Sequence, residues 1–137
     1  MDEQMQAEVR RRAGNACEYC RLPADAHPGP FEIEHIIAKQ HCGKTELRNL
    51  AFCCLRCNRF KGPNIAGLTR IGSRTVLVPL FHPRRHKWSR HFRWNGPMLV
   101  GKTAIGRATI EVLAINDPLR VAVREALIQD GLFRPAM

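Results

Sequence analysis

Between Glu46 and Glu111 the chain contains no aspartate and no glutamate. That absence excludes a self-neutralised surface for the middle of the molecule, where 13 of the 22 lysines and arginines fall, from Leu47 to Arg107. The remainder is slightly acidic, so the net charge of +10 comes entirely from the middle. A basic block of this kind suits a polyphosphate partner, because each neutralised phosphate releases condensed counterions. A merely solvated basic face is the bland alternative, and a stretch of more than sixty residues without an acid weakens it.

Other absences narrow the class. No run of about 18 apolar residues occurs, so no membrane span is expected. Met1-Asp2-Glu3-Gln4 is polar and acidic, without the basic-then-apolar order of a secretory signal, and the cytoplasm is the expected compartment. Internal repeats are missing as well. What remains, 137 residues of which 45% are hydrophobic, suits one compact domain, and a chain this short gains from a metal staple.

The cysteines supply that staple. Cys17-Glu18-Tyr19-Cys20 and Cys54-Leu55-Arg56-Cys57 have the C-x2-C spacing that turns both sulfurs of a pair toward one point. Three disulfides of a secreted domain are the alternative reading of six cysteines. Two CxxC pairs without a signal peptide favour a structural Zn²⁺ held by Cys17, Cys20, Cys54 and Cys57. Cys42 and Cys53 are left over, each expected as a small buried thiol. Between the pairs lie Glu34-His35 and Asn49, and Asn58 follows the second pair directly. A carboxylate beside a histidine, with two asparagines, has the makings of a hydrolytic metal site built around a structural one.

Periodicity predicts an α+β chain. Met5, Val9 and Ala13 recur at helical spacing over Glu3 to Ala13, and Gly14-Asn15 stops the helix. A Pro- and Gly-rich loop runs from Leu22 to Pro30. Phe31 to Ile37 reads as a strand whose alternation sets Glu32 and Glu34 on one face, with Phe31, Ile33 and His35 on the other. Glu34 and His35 can then serve one centre only where the strand ends or bulges. Ala38 to Arg48 is a polar loop, Leu50 to Cys53 a short strand, and a helix begins near Leu55. Downstream, Thr75 to Phe81 reads as a strand, and Met98-Leu99-Val100 pairs back after the Asn95-Gly96 turn. Thr103 to Ile115 forms a helix that presents Ile105, Ala108, Val112 and Ile115. Asp117-Pro118 starts the last helix, with Leu119, Val123, Leu127 and Ile128 as its apolar stripe.

In order and spacing, Arg10 to Gly62 resembles the HNH endonuclease family, in its zinc-containing branch: CxxC, Glu34-His35-Ile36-Ile37, Asn49-Leu50, then CxxC-Asn-x-x-Lys-Gly. Pro63 to Phe92, with Pro63-Asn64-Ile65-Ala66-Gly67-Leu68 and Pro79-Leu80-Phe81-His82-Pro83-Arg84, is similar to a group of small bacterial HNH proteins. The resemblance implies a ββα-metal fold, a hairpin followed by a helix. It assigns residues 1–68 to the nuclease unit and 69–137 to a basic strand and helix extension packed on it. It further implies cleavage of DNA phosphodiester bonds to 5′-phosphate and 3′-hydroxyl ends. His35 matches the general base, Glu34 and Asn58 the ligands of one Mg²⁺ or Mn²⁺, and Asn49 the asparagine that ties the loop and orients the histidine. Arg59 and Lys61 match backbone-steadying positions. Three departures stand out: Glu34 where Asp is common, Asn58 where His is common, and Cys42-Gly43 where paired glycines are common.

The basic aromatic segment from Phe81 to Trp94 has two readings. Arg84, Arg85 and Lys87 are expected to contact nucleic acid. His82, His86 and His91 suit phosphate contact or solvated surface better than a second metal cluster, since no cysteine or carboxylate accompanies them. Trp88, Phe92 and Trp94 are expected to pack the C-terminal part onto the nuclease unit rather than stack on bases. For the whole chain, a zinc ribbon that binds nucleic acid without cutting it is the competing function. It uses the cysteines and arginines but gives Glu34, His35 and Asn58 no task. The charge block suits RNA as well as DNA.

Overall fold

A computed structural model describes residues 1–27 and 29–135; Pro28, in the expected loop, and residues 136–137, at the end of the expected extension, lie outside the described residues. The order of elements is α1 (Glu3–Arg12), β1 (Phe31–His35), β2 (Leu50–Cys54), α2 (Leu55–Lys61), β3 (Ala66–Ile71), β4 (Arg74–Pro79), α3 (Trp88–His91), β5 (Phe92–Asn95), β6 (Met98–Gly101), α4 (Ala104–Val112) and α5 (Pro118–Gln129). The expected α+β class holds, with three antiparallel two-stranded sheets: β1–β2, β3–β4 and β5–β6.

The hairpin of β1 and β2 is the frame of the site. Its register pairs Ile33 with Phe52 and Glu34 with Ala51, and ends at His35 opposite Leu50. Because side chains alternate across a strand, Phe31, Ile33, Leu50 and Phe52 share one face, and α1 closes it with Val9 and Ala13. The opposite face carries Glu32 and Glu34, and α2 packs there. Asp2 caps α1 by accepting the Met5 amide at 2.7 Å, while Arg10, Arg11 and Arg12 occupy its last turn, where the helix dipole favours cations.

Downstream of α2 two elements form that the pattern does not announce, the strand β3 and the short helix α3. Ala66–Ile71, which carries no clear strand pattern, pairs with β4 along its whole length. Gly67 faces α4 so closely that a Cβ there would stand 2.6 Å from Val112 Cγ2, which explains a glycine inside a strand. The Asn95-Gly96 turn and the pairing of β5 with β6 form as the sequence predicts.

The larger core cluster joins the two parts of the chain, combining Cys17, Tyr19 and Cys57 with Phe81, Phe92, Trp94, Leu113 and Phe133. Trp88 donates its indole N–H to the Tyr19 carbonyl at 2.8 Å, and Trp94 meets Phe133 edge-on. The aromatics therefore pack the C-terminal part against the knuckle.

The last helix packs only the later part of its expected stripe, Leu127 and Ile128, against the core. Leu119 and Val123 are 69% and 41% exposed, whereas Arg120 and Arg124 are buried. The arginines go inward because unpaired acceptors wait for them. Arg124 donates to the carbonyls of Pro97 and Ile115, and Arg120 to the carbonyl of Leu113 and to Cys57 Sγ at 3.0 Å. A buried guanidinium is tolerated only where its donors are filled, and these acceptors fill them.

Candidate metal centre and nuclease site

The four knuckle sulfurs lie within 4.8 Å of one another and are all buried. Cys20 Sγ and Cys54 Sγ stand 3.8 Å apart, about the edge of a tetrahedron with roughly 2.3 Å zinc–sulfur bonds. The Cys20 and Cys57 amides point at Cys17 Sγ and Cys54 Sγ, each at 3.5 Å, as expected of donors facing thiolates. Arg120 adds a cation beside Cys54 and Cys57. All four ligand positions come from cysteine, so the site is compatible with a structural zinc and leaves no position for substrate. Of the two spare cysteines, Cys53 is buried as expected, but Cys42 is exposed.

Cys42 has a reason to be outside. With φ +67° it sits in the left-handed region that glycine most readily adopts. The next residue must be small: a Cβ on Gly43 would fall 1.7 Å from the Ile37 carbonyl oxygen. This folds the loop tightly back onto Ile37. Asn49 holds it there, accepting the Ile37 N–H at 2.9 Å and donating to the carbonyls of Ile37 and Lys44 at 3.0 and 2.8 Å. No hydrogen bond joins Asn49 to His35 among the described residues. Instead His35 Nε2 lies 2.8 Å from Thr45 Oγ1, a residue that sequence reasoning left without a role.

On the α2 side of the hairpin, Glu34 is buried at 6% exposure. Tyr19 donates its hydroxyl to Oε1, and Lys61 Nζ stands 3.2 Å from Oε2. Burial raises the Glu34 carboxyl above its ordinary value, and Lys61 and Tyr19 only partly offset it. Lys61 also donates to the Ile36 carbonyl at 2.8 Å. Its expected place on a phosphate backbone is thus corrected. The charge is spent inside, against Glu34, because a buried carboxylate without a cation is costly. Asn58, one turn earlier on α2, gives its side-chain N–H to Glu32 Oε2 at 2.6 Å. Glu32 is the residue that the sequence reading passed over, although alternation already put it on the face of Glu34.

Replacing Lys61 with Met should strand the Glu34 charge and lower stability by about 3–5 kcal/mol, read from urea denaturation midpoints. Adding Glu34→Gln to that variant should recover part of the loss. A drop under about 1 kcal/mol for Lys61→Met would show that the pair is not a stabilising contact.

The imidazole of His35 is drawn below its ordinary 6.5 by partial burial, then by Lys39 and the chain amino terminus. The neutral ring therefore predominates at neutral pH, and protonation sets in only as pH falls through that lowered value. In an NMR titration without added divalent ions we expect a midpoint under 6.5, moving upward in Lys39→Gln. A midpoint at or above 6.5 would contradict this electrostatic picture.

The basic residues divide by exposure. Arg59, Arg85 and Lys87 are exposed as expected. Arg84 is not available: it pairs with the buried carboxylate of Glu18, whose other oxygen accepts the Phe52 amide at 2.9 Å. This correction has the same origin as that of Lys61, a buried acid that needs a cation. His82 and His86 shape the turn itself, accepting the backbone N–H groups of Arg84 and His82 at 3.2 and 2.9 Å. Burial, Arg85 and His86 press the His82 imidazole down to about 4, so it stays neutral and able to accept. Between this turn and the loop clamped by Asn49 runs a groove lined by His41, Lys44, Arg48, His82 and Arg85.

Comparison with known proteins bears on the same segment. The family model for HNH endonuclease matches residues 17–64, from the first knuckle cysteine to just past α2. The Septu protein PtuB of Bacillus thuringiensis is 30% identical over 118 residues, which are 85% of this chain and 42% of that protein. The chain thus spans less than half the length of this curated relative. No solved structure gives a significant match.

Proposed function

We propose that the segment matching the HNH model is a working nuclease centre, and that this chain hydrolyses phosphodiester bonds in DNA. The observation that carries the proposal is the placement of His35. It ends β1, its Nε2 is engaged by Thr45, and its Nδ1 has no protein partner among the described residues. A neutral imidazole with one free nitrogen can take a proton from water.

The residues of the β1–α2 seam fit a hard divalent cation. Asn58 turns its N–H group to Glu32, which leaves its amide oxygen without a protein partner among the described residues. Glu34 uses one acceptor position on each oxygen for Tyr19 and Lys61 and keeps others open. Tyr19 and Lys61 thereby orient the carboxylate, as groups behind a metal ligand do. Glu34 and Asn58 would hold Mg²⁺ or Mn²⁺, both offering oxygen. Such an ion, when bound, polarises the scissile phosphate and stabilises the departing 3′-oxygen.

His35 Nδ1 accepts the proton as the water oxygen bonds to phosphorus, and the bond from phosphorus to the 3′-oxygen breaks. The 3′-oxygen takes a proton from solvent, which leaves 5′-phosphate and 3′-hydroxyl ends. Arg59, Arg85 and Lys87 steady the backbone from the exposed side, together with the basic groove. One such centre cuts one strand at a time.

The test is incubation of supercoiled plasmid and of RNA with the protein in Mg²⁺ or Mn²⁺. Nicked plasmid in the presence of the divalent ion is expected. Salt-sensitive DNA binding with no cleavage under either ion would favour the non-catalytic zinc-ribbon reading, and faster digestion of RNA would change the substrate.

A further inference from the structure

We propose that Thr45 is a positioning residue for His35: its hydroxyl accepts the Nε2–H of the imidazole and so reserves Nδ1 as the proton acceptor. The inference rests on the reading of His35 as the base. A neutral imidazole has one N–H and one lone pair, and the Thr45 hydroxyl can meet either at Nε2; we take it as the acceptor because only that arrangement leaves a lone pair on Nδ1. Thr45 Oγ1 lies 2.8 Å from Nε2, and no described residue hydrogen-bonds to Nδ1. With the proton on Nε2, the lone pair on Nδ1 stands open to water. The reverse arrangement, with Thr45 donating, would place the proton on Nδ1 and abolish the base.

The loop is built to deliver this hydroxyl. Thr45 is exposed and ten residues from His35, so nothing local holds the two together. The Asn49 amide does. It grips both backbone groups of Ile37, two residues beyond His35, and also the carbonyl of Lys44, the peptide that leads into Thr45. The Gly43 amide returns to the Ala38 carbonyl at 3.0 Å, and the Ile36 amide to the Asn49 carbonyl at 2.8 Å. Both ends of the hydrogen bond are therefore referenced to one side chain. Asn49 orients the histidine only through the loop, with Thr45 as the group that makes contact.

The experiment compares wild type, Thr45→Val and Thr45→Ser by ¹⁵N NMR of the His35 ring and by plasmid cleavage. In wild type and Thr45→Ser the ring should be in the Nε2–H form. In Thr45→Val it should become a mixture of tautomers, with cleavage reduced roughly five- to tenfold and rescued by serine. A wild-type ring carrying its proton on Nδ1, or a tautomer ratio that valine does not alter, would overturn the proposal. The NMR result is independent of turnover. A wild type that sets the tautomer through Thr45 but cuts nothing would sink the nuclease reading and leave the positioning role standing.

Discussion

Stripping the four-cysteine site of the zinc it would hold should abolish the cooperative unfolding transition of the entire chain, not merely loosen one knuckle. The sulfurs are part of the main core: Cys17, Cys20, Cys54 and Cys57 are buried in the same cluster as Phe81, Phe92, Leu113 and Ile115. Arg120 ties the last helix to two of them, with Nη2 3.0 Å from Cys57 Sγ and Nη1 2.6 Å from the Leu113 carbonyl. Without the ion, four thiols at closest approach either repel as thiolates or take up protons, and Arg120 loses its anionic partners. Structural zinc contributes on the order of 10 kcal/mol of apparent binding energy. That matches the whole stability of a typical domain, about 5–15 kcal/mol. Chelation, or Cys57→Ser, should therefore leave a chain with no sigmoidal melt by circular dichroism. Cys53→Ala, at a buried core thiol that is not one of the four grouped sulfurs, should cost only about 1 kcal/mol by comparison. A chelated protein that melts as sharply and as late as the untreated one would refute this account.

His35→Ala should do the opposite, leaving the melt in place and removing turnover. The ring is only partly buried, and Thr45 is its one hydrogen-bonded side-chain partner among the described residues, so little packing is lost. Positioned general bases contribute about 10²–10⁴ in rate, and nicking should fall by that factor at every divalent-ion concentration. A loss that extra Mg²⁺ restores would reassign His35 to ion binding. Equal cleavage by both proteins would remove it from the mechanism.

The parts legible in the sequence are those whose physics is local. The α1 periodicity, the Asn95-Gly96 turn and the Asp117-Pro118 start all appear where the pattern put them. Strand β3 was hidden because Gly67 serves its close approach to α4 and because the exposed residues Leu68, Arg70 and Ile71 follow no alternation of polarity. In the site, Lys61 and Arg84 carried the signature of surface cations. Only the fold shows that each faces a buried acid, Glu34 or Glu18.

By itself, then, the chain's order of residues determined the knuckle pairs, the hairpin between them and the helix that carries the second pair, although the strand expected to run to Ile37 stops at His35. Spacing and alternation suffice for those, since they depend on the backbone repeat of a single element. The tertiary structure decided which charges are spent inside, that Arg120 and Arg124 face the core in place of Leu119 and Val123, and that Thr45 meets His35. Burial and hydrogen-bond partners are set by what the rest of the molecule brings near a residue, and a linear pattern carries no record of that company.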